Sequence, residues 1–229
     1  MSLSLFKEFK NLIILDTETS GLSFKEDEII ELAMLRVENG ADGYEVCEEY
    51  DEFIKLSPGK LLPEKITELT HISPEMLETQ GLGKREVCER LEEMFSVEKP
   101  LVIAYNAQFD MCFLYFFLKK YGDPSVLANI KMLDAMAVYK DRRAYPHKLC
   151  AAIEEYKVDA VNSHRAIDDT KAAFKLLLKM AEEKDDLLHY INLFGYSAKY
   201  GVSGPRFRSV RYLPQGFEPG VPLYERISE

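Results

Sequence analysis

The sequence predicts an α/β fold: a mixed five-stranded sheet flanked by helices. Three observations carry that expectation. Short apolar runs bounded by acids or turn residues recur five times. Between and after the later runs lie longer stretches whose apolar residues repeat at helical spacing. The first three runs are joined by short connections, which suits antiparallel pairing, whereas the last two are reached through helices, which allows parallel pairing.

In chain order, residues 11–15 (NLIIL) read as a buried strand, apolar and β-branched, running into acids. Gly21 marks a turn. Residues 28–37 form the second expected strand, with Asn39-Gly40 as a turn signal behind it, and residues 44–56 form the third. Seven acids and no Lys or Arg fall between Glu38 and Glu52, which suits a solvated hairpin edge protected from pairing with other chains. Pro63 and Pro74 each open a short helical turn. Residues 84–95 place Val87, Leu91, Met94 and Phe95 on one stripe of a helix. A short strand at 101–104 leads to an apolar helix at 108–121, ended by Gly122 and Pro124. Residues 130–133 make the last strand. Helices follow at 146–156 and 165–183, with a final one expected at 185–194.

The chain has 229 residues, 47% hydrophobic and 30% charged, the composition of a soluble globular protein. The expected organisation is one domain over 1–183 and an appendage over 184–229 packed on it. No apolar run approaches the ~20 residues of a membrane helix, and the first ten residues lack a signal peptide's apolar core. Cys47, Cys88, Cys112 and Cys150 are scattered, which argues against zinc and disulfide frameworks and for a reducing, cytoplasmic setting. Cys112 and Cys150 sit among apolar residues and read as small core residues. A formal net charge of −10 excludes a simple basic nucleic-acid coat. It is compatible with an enzyme whose acids hold cations against a phosphate.

Asp16 and Glu18 follow the first strand two residues apart, so they share one face. They either reach solvent or repel each other unless a cation lies between them. Asp110 has Phe113, Leu114, Phe117 and Leu118 at i+3, i+4, i+7 and i+8, which puts it on the apolar face of its helix. The helix dipole explains an acid in that turn but not its side. Asp168 leads the stripe Lys171, Lys175 and Lys179, whereas Asp169 leads the apolar stripe Ala173, Leu176, Leu177 and Met180, so spacing selects Asp169 as the inward acid. Four inward carboxylates without cysteines suit hard divalent cations. His164, just ahead of that helix, is either a surface or capping histidine or a general base.

The segments LDTETSGL from Leu15, NAQFD from Asn106 and HRAIDD from His164 resemble the three motifs of the DEDDh exonucleases. This family includes the proofreading epsilon subunit of bacterial DNA polymerase III. LPEKITELTHISPEML, residues 62–77, is similar to the family's segment between the first two motifs, except that His71 stands where many relatives carry glycine. The resemblance runs from about Asn11 to Glu183 and implies a ribonuclease H-like fold. It implies two divalent cations, Mg²⁺ or Mn²⁺, held by Asp16, Glu18, Asp110 and Asp169, with His164 as the base. It also implies removal of nucleoside 5′-monophosphates from a 3′ end.

Thr19, Gly21, Leu22, Asn106 and Phe109 are the expected substrate-side residues. Leu22 and Phe109 serve either to pack on bases or to fill the core. The expected substrate is a single-stranded or frayed 3′ end, DNA ahead of RNA. A DNA polymerase subunit is an expected partner, with proofreading supplied in trans, and a membrane is not. The rival readings are an RNA exonuclease of the same family and a non-catalytic binding or accessory subunit. Five intact chemical groups speak against the latter.

Beyond the motifs, residues 195–217 contain Lys199, Arg206, Arg208 and Arg211 and no acid. Tyr196, Tyr200, Phe207, Tyr212 and Phe217 interleave with them, as in single-strand binding segments. Glycines and prolines there predict an irregular arm. It either packs on the acidic body through its arginines or lends them to the substrate backbone.

Overall fold

A computed structural model describes residues 3–41, 43–161 and 163–226. Five strands form one sheet: β1 (Asn11–Thr19), β2 (Ile29–Glu38), β3 (Glu45–Phe53), β4 (Pro100–Ala104) and β5 (Lys131–Asp134). Their order is β3-β2-β1-β4-β5. β1 pairs antiparallel with β2, as β2 does with β3, while β4 runs parallel to β1 and to β5. The mixed sheet is the expected one, and the acidic strand β3 does lie at its edge. Asp42, one of the seven acids of that hairpin, lies outside the described residues.

The helices are α1 (Glu64–Thr70), α2 (Pro74–Gln80), α3 (Lys84–Phe95), α4 (Ala107–Tyr121), α5 (Ala135–Arg142), α6 (Leu149–Glu155) and α7 (Ala166–Glu183). β1 is apolar on both faces because both are covered. Leu12 and Ile14 join Ala172, Leu176 and Leu177 of α7 in one cluster. Ile13 and Leu15 join Val87 and Leu91 of α3 and Met111 and Leu114 of α4 in the other. A smaller cluster of Ile30, Leu62, Ile72 and Leu77 seats α1 and α2 against the sheet. His71 is the left-handed C-cap of α1 with φ of 59°. That conformation favours glycine, the residue the family resemblance leads one to expect there.

Several boundaries differ from the sequence reading. β1 continues to Thr19 rather than ending near Leu15, because β2 pairs with it past the acids, Asp16 opposite Ala33 and Glu18 opposite Glu31. α5 was not anticipated. Asp134 caps it by accepting from the Met136 amide at 3.0 Å, an N-cap signal masked by the apolar strand that runs straight into it. α6 begins at Leu149, and Pro146, His147 and Lys148 lie ahead of it. Cys112 is buried, but Cys150 is exposed, contrary to its core assignment.

The tail also departs from expectation. Residues 185–194 form a 3₁₀ turn (Leu187–Tyr190) and the start of a strand, not a helix. That strand, β6 (Leu193–Tyr196), pairs parallel with β7 (Arg211–Pro214), so the arm is not wholly irregular. Its Phe194, Phe207 and Val210 enter the α3–α4 core. None of Arg206, Arg208 and Arg211 lies in an ion pair among the described residues, so the packing is apolar and not the charge pairing considered from sequence. Arg206 instead stacks 5.4 Å from the Tyr212 ring. Among the described residues no helix is long and apolar enough to cross a membrane.

Candidate metal centre

β1 and β4 stop pairing after Ile14 and Ile103. Beyond that point β1 continues beside β2 alone, and the chain after β4 turns into α4. The opening lies at the carboxyl ends of parallel strands, where α/β sheets place their ligands. Asp16 and Glu18 occupy it, with a register irregularity between Glu18 and Thr19, a device common beside functional sites. Their face is the Leu12–Ile14 face, toward α7. Ligand atoms of Glu18, His164 and Asp169 lie within 4.8 Å of one another. Asp16, Asn106, His164 and Asp169 line one open cleft of about 820 Å³.

Asp110 comes from the opposite side of the sheet. It is buried, and its Oδ1 accepts from the Thr17 amide at 3.1 Å and the Thr17 hydroxyl at 2.7 Å. Alternation along β1 thus sends Asp16 and Glu18 to one side and gives Thr17 to the acid of α4.

The heads of the two helices are secured differently. Asn106, exposed and left-handed with φ of 72°, precedes α4. Asp134 Oδ1 accepts from the amides of Asn106 at 2.9 Å and Ala107 at 3.3 Å, so one buried carboxylate caps both α4 and α5. At the head of α7, Glu31 is fully buried. One of its oxygens accepts from Arg165 Nε at 2.8 Å and Nη2 at 2.6 Å, and the other from the Ala166 amide at 2.8 Å. Arg165 also lies 5.0 Å from the Phe53 ring. His164 precedes it, exposed and left-handed with φ of 55°. Asp169 is buried, whereas Asp168 is half-exposed and accepts from the Ser163 hydroxyl at 2.5 Å.

These carboxyls burden one another. Burial raises Asp16 well above the ordinary range, and the charges of Asp110, Glu18 and Asp169 raise it further. Glu18 is raised to about 8 by burial and by Asp169 and Glu31, with Arg165 opposing. Burial lifts Asp110 to about 7 against its hydrogen bonds from Thr17. Groups pushed together and dehydrated in this way hold protons or cations. A carboxylate-rich donor set with one histidine nitrogen and no cysteine fits hard divalent cations, so the residues present suit such ions.

On the substrate side, Leu22 is 83% exposed, free to pack on a ligand. Phe109 is half-buried against Phe113 at 5.0 Å between ring centroids and belongs with the α4 core. Thr19 is buried and donates to the Gly21 carbonyl at 2.6 Å. A Cβ at Gly21 would collide with the Asp27 carboxylate, which itself accepts from the Ser23 amide at 2.8 Å. Glycine there lets the loop close beside the acids. Sequence reasoning missed Thr17, Glu31, Asp134 and Arg165. Only Asp134 carried a local signal, its position as an N-cap.

Residues 13–177 match the RNase T family, described as an exonuclease. The chain is similar to the PolC-type DNA polymerase III of Staphylococcus epidermidis, 33% identical over 176 residues, which cover 76% of this chain and 12% of that protein. It is also similar to the PolC-type DNA polymerase III of Halalkalibacterium halodurans, 34% identical over 185 residues, covering 77% and 12%. The chain therefore spans about an eighth of the length of these relatives. In fold it resembles E. coli exonuclease I, solved with zinc and single-stranded DNA. The TM-score is 0.70 at 18% identity, over 80% of this chain and 42% of that one.

Proposed function

The chain belongs to the RNase T exonuclease family, and from that premise we propose that it is a metal-dependent 3′–5′ exonuclease acting on DNA. The reading rests above all on the convergence of Glu18, His164 and Asp169 within 4.8 Å in the cleft that Asp16 also lines. Asp16, Glu18, Asp110 and Asp169 would hold two divalent cations, Mg²⁺ or Mn²⁺. When bound, the cations offset the carboxylate repulsion and supply electrostatic stabilisation of the attacking and leaving oxygens.

The protein's own groups do the rest. Asp110, held by Thr17, keeps its position from the α4 side. His164, exposed at the head of α7, takes the proton of the attacking water. The water oxygen bonds to phosphorus, the bond from phosphorus to the 3′ oxygen breaks, and that oxygen takes a proton from solvent. The products are a nucleoside 5′-monophosphate and a strand one nucleotide shorter with a 3′ hydroxyl. Leu22 and Asn106, both exposed, would border the terminal nucleotide. The relatives' names favour DNA and a role in replication or repair, with a polymerase subunit as partner.

Digestion of matched 3′-labelled and 5′-labelled DNA and RNA strands with Mg²⁺ or Mn²⁺ tests this. Immediate loss of the 3′ label as mononucleotide, with a ladder from the 5′ label, is expected on DNA. Initial loss of the 5′ label overturns the direction, faster digestion of RNA overturns the substrate, and no digestion of either overturns the activity.

A further inference from the structure

The cleft has a wall that the carboxylate site does not require. After β6 the chain makes a tight turn in which the Tyr200 and Gly201 amides both donate to the Ser197 carbonyl, at 3.0 and 2.8 Å. Gly201 is left-handed at φ of 72°. The turn carries Tyr200 at its tip, 78% exposed. It is tied down from the element that carries Asp110: Gln108 donates to the carbonyls of Ser203 at 2.7 Å and Pro205 at 2.9 Å and accepts from the Tyr212 hydroxyl at 2.9 Å. Past β7, Gln215 donates to the Ala137 carbonyl at 2.7 Å and to Asp141 at 2.8 Å, anchoring the backbone just before Phe217.

Tyr200 and Phe217 thereby line the same cleft as Asp16, His164 and Asp169, and Tyr145, Lys140 and Lys148 line it too. Tyr145 is 84% exposed, and Phe217 is 40% exposed. Rings held open to solvent around one cleft mark a binding surface. The lysines supply the charge complement for phosphates. Two of the arginines that the sequence offered either for packing or for the substrate backbone lie elsewhere: Arg206 and Arg208 line a separate hollow with Tyr115 and Pro124.

We infer that the tail forms the outer wall of the substrate cleft, with Tyr200 and Phe217 stacking on the unpaired bases next to the 3′ end of single-stranded DNA. Lys140 and Lys148 take the phosphates between those bases. The occupant is a single strand because successive unpaired bases can each stack on an aromatic ring, whereas a paired end exposes only the outer face of its last pair. The inference rests on the exonuclease reading for which strand end enters, but its own observable is stacking.

The test measures binding of a 5′-fluorescein single-stranded DNA and of a matched blunt duplex, using the Asp169→Asn background so that the strand is not consumed. Tyr200→Ala and Phe217→Ala should each raise Kd for the single strand about 5- to 150-fold, the range expected for losing one stacked base. Tyr200→Phe should restore it, and melting temperature should not change. With Asp169 intact, KM should rise in the alanine variants while kcat stays within about twofold, as for lost uniform binding. Single-strand Kd values unchanged in the Tyr200→Ala Phe217→Ala double variant overturn the wall, as does equal weakening on the blunt duplex. Normal wild-type digestion in that case leaves the exonuclease reading standing. Conversely, lost binding in the variants with no digestion by wild type would sustain the wall and sink the exonuclease.

Discussion

The heads of α4 and α7 each bring an acid within electrostatic reach of Asp16, by opposite means. At α4 both acids are enclosed: Asp110 is buried and bonded to Thr17, and buried Asp134 caps the backbone. At α7 the fastening is an ion pair, Glu31 with Arg165, and the residue just before it, His164, is exposed. A buried, multiply hydrogen-bonded carboxylate is a fixed point. A half-exposed guanidinium on a buried carboxylate fixes the backbone while leaving the neighbouring imidazole in reach of water. The first arrangement suits holding a cation, and the second suits moving a proton.

The largest expected effect breaks either head. Asp110→Ala and Asp169→Ala, like Asp16→Ala and Glu18→Ala, should reduce hydrolysis to background in a mononucleotide-release assay with the fold retained. Asp168→Ala should stay near wild type. Equal losses at Asp168 and Asp169 would show that the inward stripe of α7 has been misassigned. Next, His164→Ala should lower kcat by roughly 10²–10⁴ while calorimetry still detects Mn²⁺ binding. A wild-type rate would remove His164 from the chemistry and make the two heads equivalent.

Stability separates the two fastenings more finely. Asp134→Ala leaves the part-buried amide of Asn106 and the buried amide of Ala107 without their acceptor and should cost about 1–3 kcal/mol in urea unfolding. Glu31→Gln keeps an oxygen for the Ala166 amide and leaves Arg165 partly in water. It should cost less in stability than Asp134→Ala but reduce kcat through His164 and Asp169. The reverse ranking would make the α7 head the fixed point.

The last effect is on pH. Glu18 rises from an ordinary 4.5 to about 8 and Asp110 from 3.8 to about 7. Across that window the folded protein holds protons that the unfolded chain has released, so the metal-free protein loses stability as pH rises from about 4 to about 8. Melting curves in a chelator should fall over this range, and Glu18→Gln should flatten part of the fall. Mg²⁺ should stabilise more at the upper end than at the lower, because binding displaces those protons. A melting temperature independent of pH in the chelator would mean the carboxyls are not mutually strained.

Local pattern carries far in this chain. Alternation along residues 11–18 put Asp16 and Glu18 on one face, and β1 indeed turns that face toward α7. Helical spacing separated Asp169 from Asp168, and their burial differs in the same sense. The order of three strands joined by short loops and two reached through helical crossovers contained the sheet, because strand direction follows from connection length. Each of these signals lies within about a dozen residues, where backbone periodicity alone decides which side chains share a face.

What joins those faces was decided only by the tertiary structure. The Glu31–Arg165 pair spans 134 positions and the Thr17–Asp110 bonds span 93, and no residue at either end announces its partner. Leu22 and Phe109 looked alike in sequence, yet one is solvent-exposed and the other packs on Phe113. The tail shows the same limit. Its composition marked both arginines and aromatics, but parallel pairing of β6 with β7 and the hold of Gln108 on the loop between them carry Arg206 and Arg208 away from the acids and leave Tyr200 beside them. Composition sets what a segment can bind. Only the contacts that pin its two ends set which of its side chains face the site.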